Sequence, residues 1–265
     1  MPFTRHSKRP NNTNGEVSSY HSQLFRRGIG GHSAGQINQA GKNYYNPQDN
    51  RLVGCWLFDG GVGTIVNDES LYNSTAYPGT IGNWVNDGMQ FDASQEQYLS
   101  VLPDSHLDQD SSLSILSWIK LDTITTSMCV LCKSSQNNTS VDYYLEVTTT
   151  GKLIMGCYDG VWHPTEGATS LTTDRWYLVG GTFDGSIFRI YLDGVMDNNT
   201  TESVSKLPMG GTLEFGRFNN GIPGNYFNGT IHSIFICARN LSAQEIENIY
   251  DAGPYYSTET LSYEL

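Results

Sequence analysis

From Leu52 onward the chain alternates short apolar runs with turn signals. Leu52–Phe58 is followed by Asp59-Gly60-Gly61. Leu113–Leu121 sets Leu113, Ile115 and Ile119 on one face and Leu116 and Trp118 on the other, the period of two expected of a β-strand. Met128–Lys133, Tyr143–Thr148 and Lys152–Tyr158 come next, then Trp176–Phe183, Asp184-Gly185, Ile187–Leu192 and Asp193-Gly194. Asp-Gly between apolar runs signals a hairpin, because both central residues of a tight two-residue turn need positive φ. Leu213–Arg217 and Gly229–Cys237 complete the series. About a dozen short strands with regular turns predict an all-β, two-sheet antiparallel sandwich. One helix is predicted over Ser242–Tyr250. Ser242 and Glu245 form a capping box, Leu241 and Ile246 a hydrophobic staple, and Gly253-Pro254 a stop.

The first 50 residues show neither period. Val17, Leu24, Phe25, Ile29 and Ile37 are isolated among Gly, Asn, Ser, Gln and Arg. Such a segment cannot bury enough surface to offset its own ordering entropy. The chain therefore divides into an extended polar arm (1–50), a sandwich (51–253) and a short tail (254–265). Charge sharpens the division. Residues 1–51 carry seven Lys/Arg against two acids, a net +5, whereas the rest carries −17, giving −12 overall. A basic arm before an acidic body implies different partners for the two parts. The body is too acidic for a general nucleic-acid binder. The arm's basic and aromatic residues Arg5, Lys8, Arg9, Phe25, Arg26 and Arg27 are the candidate partner contacts.

Aromatic residues make up 12% of the chain and charged residues only 16%, which fits a β-rich globule rather than a disordered chain. No apolar run reaches the roughly 18–20 residues of a membrane-spanning helix, so a membrane partner is not expected. The N-terminus lacks the apolar core of a secretory signal, and Arg26-Arg27 lies too deep, without a following apolar stretch, for a twin-arginine signal. Five scattered cysteines form no disulfide framework, as expected for folding in a reducing cytosol.

The ordered set of motifs resembles concanavalin A-like, laminin-G-like jelly rolls. Leu52-Val-Gly-Cys-Trp-Leu-Phe-Asp59 resembles their opening strand, Asp68-Glu-Ser the turn after it, and Gly88-Met-Gln-Phe-Asp92 to Tyr98-Leu-Ser-Val101 the next strands. Leu113–Lys120, Trp176–Gly185, Phe188–Val195, Phe227–Ile231 and Arg239–Tyr250 resemble the central strands, closing strand and final helix. The resemblance covers about residues 52–252 and implies a jelly-roll sandwich. It does not choose among the lectins, glycosidases, adhesion modules and virion proteins that share the fold. Many relatives carry an acidic pair after the closing Gly-x-Ile, where this chain has His232-Ser233, so the resemblance does not carry a calcium site over.

Little catalytic chemistry is visible. A glycosidase needs two carboxylates across the scissile bond, and the Glu-x-Asp-x-x-Glu string of related glucanases is absent. Asp142 and Glu146 flank one strand-like run and read as isolated, solvated acids. Cys129-x-x-Cys132 lacks the second pair a zinc site requires and reads as core. Asp59 and Asp68 are candidate calcium ligands, although plain turn residues are the favoured reading; no other cofactor is expected. Tyr158-Asp-Gly-Val-Trp-His163 is the best candidate ligand site, since Tyr158 and Trp162 can stack on a sugar while Asp159 and His163 bond its hydroxyls, although a plain hairpin whose Trp162 packs across the sheet edge is the favoured reading. Trp84 is a second candidate. The leading expectation is a non-enzymatic structural protein of a virus or phage particle, assembled in the host cytoplasm. It would be a capsid decoration or cement protein whose arm threads over neighbouring subunits or copies of itself, or a tail or fibre component. The alternative is a lectin-like carbohydrate-binding module.

Overall fold

The structure, a computed structural model, describes residues 50–254 apart from 60, 110, 135–139 and 205–209. The candidate arm contacts Arg5, Lys8, Arg9, Phe25, Arg26 and Arg27 lie outside the described residues, as does the tail beyond 254.

The strands are β1 (Leu52–Leu57), β2 (Ala76–Thr80), β3 (Asn83–Val85), β4 (Gly88–Phe91), β5 (Tyr98–Val101), β6 (Leu113–Leu121), β7 (Met128–Ser134), β8 (Val141–Val147) and β9 (Lys152–Tyr158). They continue as β10 (Trp162–Ser170), β11 (Trp176–Phe183), β12 (Ile187–Leu192), β13 (Val195–Thr201), β14 (Leu213–Phe215), β15 (Phe218–Asn219), β16 (Pro223–Gly224) and β17 (Gly229–Cys237). One eight-stranded sheet runs β13-β12-β11-β6-β17-β4-β3, with β1 beside β17. A seven-stranded sheet runs β10-β9-β8-β7-β14-β5-β2, and β15-β16 form a small separate hairpin. All pairings are antiparallel. This is the two-sheet jelly-roll sandwich that the strand pattern and the resemblance predict.

The core lies between the sheets. Alternation in β6 puts Leu113, Ile115 and Ile119 into it, and Leu116 and Trp118 on the outside. Trp56 of β1 meets Phe215 of β14 edge-on at 4.9 Å, so the two sheets are joined through aromatic contacts. The outer face of the eight-stranded sheet is covered by α1 (Ala243–Ala252), whose Tyr250 stacks on Trp118 at 5.8 Å. The Ser242–Glu245 capping box forms, and Leu241 and Ile246 are both buried, as the staple requires.

Two turn expectations separate. Asp193 (φ 50°) and Gly194 (φ 83°) both take positive φ, as a tight hairpin demands. At Asp184-Gly185 only the glycine does. There the Asp184 carboxylate accepts the Ser186 and Ile187 amides, making a longer Asx-type turn in place of the two-residue one. Strands β10 and β13, each at the edge of its sheet, carry too many polar residues to show as apolar runs.

Candidate functional site

The outer face of the seven-stranded sheet carries its own apolar cluster, separate from the core. Alternation along β8 and β9 sends Tyr143, Leu145, Met155 and Cys157 inward, and Tyr144, Ile154 and Tyr158 outward. Register then aligns Tyr158 with Trp162, and Tyr144 with Gly156 and Pro164. Trp162 lies 4.7 Å from Tyr158, 5.9 Å from Tyr144 and 6.0 Å from Phe218, centroid to centroid. Phe218 belongs to β15, at the foot of the hairpin that overlies β7. Three rings are thus packed to hold a fourth, and Trp162 remains 44% exposed. Val161 in the preceding turn (64% exposed) and Ile222 in the β15–β16 turn (81%) are exposed apolar residues on the segments that carry Trp162 and Phe218. Gly156 is required here by close approach, since a Cβ would stand 2.3 Å from the His163 carbonyl oxygen.

The structure divides the sequence-predicted site. Tyr158 and Trp162 come together on the outer face. His163, one residue on, points the other way and is buried opposite Cys157. Its Nε2 lies 3.0 Å from Asp159 Oδ1 and its Nδ1 3.1 Å from Glu202 Oε2, so both ring nitrogens are taken. Burial opposes the charged ring, but hydrogen bonds to Glu202 and Asp159 outweigh it and raise the His163 pKa above its ordinary value. Trp84 is placed elsewhere. It sits on β3, at the end of the eight-stranded sheet away from β13, with its indole N–H donating to the Gly63 carbonyl at 2.8 Å. Strand β10 faces β13 instead, tied by Asn198 Nδ2 donating to the Glu166 carbonyl at 2.8 Å. Sequence reading missed Tyr144, Phe218, Ile222 and Glu202; the only local signal was the turn-rich run Asn219-Asn-Gly-Ile-Pro-Gly224.

The expectation that Asp142 is a solvated acid is corrected. It is fully buried and ion-paired with Lys133 Nζ at 2.8 Å, which also contacts Asp108 at 2.6 Å and donates to the Gly210 carbonyl at 2.8 Å. A register shift at the end of β7 turns Lys133 and Asp142 towards each other. Burial pushes Asp142 up to about 7, against the pull of Lys133. Glu146 lies on the outer face, bonded to the Asn225 amide at 3.1 Å. The two acids therefore occupy different environments and do not form a facing pair. Asp68 accepts the amides of Cys55, Ser70 and Ser74 and the Ser70 hydroxyl, at 2.7–2.9 Å, which makes it a clamp between β1 and the loop after it. Asp59 is exposed in that loop. Among the described residues no group of three or more His, Cys, Asp or Glu is disposed to hold a metal ion. All five cysteines are buried free thiols, and burial pushes Cys132 up to about 12, leaving it unreactive. No helix among the described residues is long and apolar enough to cross a membrane.

A shallow concavity of about 170 Å³ lies at the other end of the seven-stranded sheet, lined by Asn73, Ser74, Tyr77, Leu102 and Asp104. Ser74 donates to the Asp104 carboxylate at 2.6 Å, and His106 bonds its other oxygen at 2.8 Å.

The comparisons agree with this architecture. Among solved structures, the binding domain of botulinum neurotoxin DC in complex with rat synaptotagmin II superposes with a TM-score of 0.61 at 14% identity, over 78% of this chain and 52% of that one. The same binding domain in complex with SialylT gives 0.60 at 13% identity, over 80% and 53%. Botulinum neurotoxin type C, described as entering cells through interaction with two ganglioside molecules, gives 0.59 at 16% identity, over 76% and 51%. The chain spans about half the length of these structures, and the likeness is one of fold. A comparison with curated proteins gives no match. A family model described as the concanavalin A-like lectin/glucanases superfamily matches residues 92–247, more than half of the chain. The two facing antiparallel sheets, the capped final helix and this match together establish that the chain belongs to the concanavalin A-like lectin/glucanases superfamily.

Proposed function

We propose that the sandwich is a non-enzymatic, lectin-like carbohydrate-binding module, with a sugar ring stacking on Trp162. The observation that carries this reading is the exposed Trp162 ring backed by Tyr144, Tyr158 and Phe218. A half-exposed indole held by neighbouring rings presents a large apolar area at little entropic cost, and it suits the C–H face of a sugar. Glu166, exposed on β10 beyond Pro164 and ion-paired with Lys152 of β9 at 3.2 Å, is the candidate acceptor for hydroxyls. The absence of catalysis is supported by the engagement of Asp142 with Lys133 and of Glu146 with Asn225. The solved structures described with SialylT and with gangliosides make sialylated oligosaccharides the first probes. On a glycan array followed by calorimetry, Trp162→Ala is expected to lower affinity about 10-fold or more, the cost of truncating a central aromatic anchor. Val195→Ser, at an exposed apolar residue that opens β13, is expected to leave affinity unchanged. Equal binding by wild type and Trp162→Ala, with both folded, contradicts the reading.

A second reading is favoured by the charge division between residues 1–51 and the remainder. In it the chain is a structural subunit of a virus or phage particle, a decoration or cement protein or a tail component. Its basic arm engages acidic neighbours or copies of itself, and the sandwich faces outward. Deletion of residues 1–50 is expected to leave a folded sandwich, since the strand pattern starts at Leu52, but to abolish incorporation into the particle. Reversing the charge of Arg26 and Arg27 acts in the same direction, and raised salt weakens the association. Full incorporation of the truncated chain contradicts this reading and leaves the sugar-binding one untouched.

A further inference from the structure

We infer that His163 is the positioning residue of the Trp162 turn: as an imidazolium it straps that turn to Glu202, just beyond edge strand β13 of the opposite sheet, so that ligand binding on the aromatic shelf formed by Trp162, Tyr158, Tyr144 and Phe218 tightens in acid and loosens in base. The inference rests on the reading of Trp162 as the ligand platform.

Strands β9 and β10 are joined by Asp159-Gly160-Val161, which runs straight into Trp162. Inside this turn the Asp159 carboxylate accepts the Val161 amide at 3.2 Å. The same Asp159 oxygen meets His163 Nε2, and the other ring nitrogen meets Glu202, just beyond the edge strand β13. Glu202 is itself fixed through its backbone amide, which donates to the Ser186 carbonyl at 2.8 Å. Ionised carboxylates only accept, and a neutral imidazole has a single N–H. Both contacts are therefore hydrogen bonds only when the ring is protonated. Loss of that proton leaves one carboxylate facing a bare nitrogen lone pair, and the strap opens either at the turn or at Glu202.

The surrounding groups leave this pair of carboxylates in control. Cys157 of β9, opposite His163, is a thiol pushed up to about 12 by burial and stays neutral. From β8, Asp142 is paired with Lys133, and from β12, Arg189 is paired with Asp184. The sign follows from the raised His163 pKa: the strap is complete below about 6.5, the ordinary histidine value, and is lost as pH rises through the higher value in the folded chain.

The test is a pH titration from 5.5 to 8.5 of the full chain, labelled with ¹⁵N. It follows the His163 ring nitrogens, the Trp162 indole N–H and the Gly160 and Val161 amides. All are expected to move with one midpoint, and in His163→Gln the Trp162 and turn signals are expected not to titrate. For a glycan that binds the shelf, affinity is expected to fall about 3- to 10-fold across the same midpoint in wild type and to be flat in His163→Gln. A Trp162 signal that stays fixed while His163 titrates overturns the inference, as does shelf binding that is independent of pH. If the Trp162 signal follows His163 but no glycan binds at any pH, the strap stands and the ligand reading fails.

Discussion

Lys133 shows most sharply how a single side chain can serve the fold. Its ammonium is buried between Asp108, Asp142 and the Gly210 carbonyl, where each oxygen helps offset the cost of desolvating the charge. Lys133→Ala removes the cation and leaves two acids facing each other. We expect it to cost about 3–5 kcal/mol in urea unfolding at pH 8. The loss is expected to shrink at pH 5, because Asp142, pushed up to about 7 even beside Lys133, is protonated there with or without the cation. A loss below about 1 kcal/mol at both pH values contradicts this account. None of this was legible in the sequence, where Lys133 ends an apolar run and Asp142 opens another. The side chains meet because the β7–β8 register slips between Lys133 and Ser134, and a register slip leaves no mark on local periodicity. Likewise the Tyr158–Trp162 half of the site could be read, because a short hairpin brings these residues opposite each other. The His163–Glu202 contact could not, because it joins a β10 residue to one 39 positions on, just past the edge strand of the other sheet.

At the scale of elements, legibility followed burial pattern. Strand β6 announced itself through alternation, with opposite faces against the core and α1. Strands β10 and β13 did not, because sheet-edge strands with exposed polar residues carry no apolar stripe. Helix α1 was readable residue by residue, since capping chemistry is local. Its N-terminus also gives a pH prediction. Glu245 bonds the Ser242 amide at 2.8 Å and pairs with Arg239 at 2.7 Å. Burial opposes its charge, but the Arg239 and Ser242 contacts win and hold its pKa down to about 2. A depressed carboxylate contributes stability above its unfolded pKa, near 4.3, and loses it as pH falls from there towards the folded value. Amide exchange in the first turn of α1 is therefore expected to speed up, relative to the intrinsic rate, between about pH 5 and pH 2. Arg239→Ala is expected to shrink this loss and end it at higher pH, because the folded Glu245 pKa then lies closer to the unfolded one. Protection that stays constant over this range contradicts the Glu245 contribution.

For the whole molecule, the sandwich leaves two quite different surfaces. The outer face of the eight-stranded sheet is partly closed by α1, whereas the outer face of the seven-stranded sheet bears the aromatic shelf. The candidate Trp84 lies at the opposite lateral end of the fold, and the Asn73–Asp104 concavity is likewise remote from Trp162 in strand order. Because these three surfaces are so far apart in the fold, one measurement can tell which of them binds sugar. The full chain, with labelled Trp side chains and Ile methyl groups, is titrated at pH 6 with the tightest oligosaccharide from the array, and the shifted signals are mapped. The Trp162 indole and the Ile222 methyls are expected to shift most, together with the backbone of Tyr158 and Val161. A map centred on Trp84 or on the Asn73–Asp104 concavity, with Trp162 unmoved, contradicts binding at Trp162.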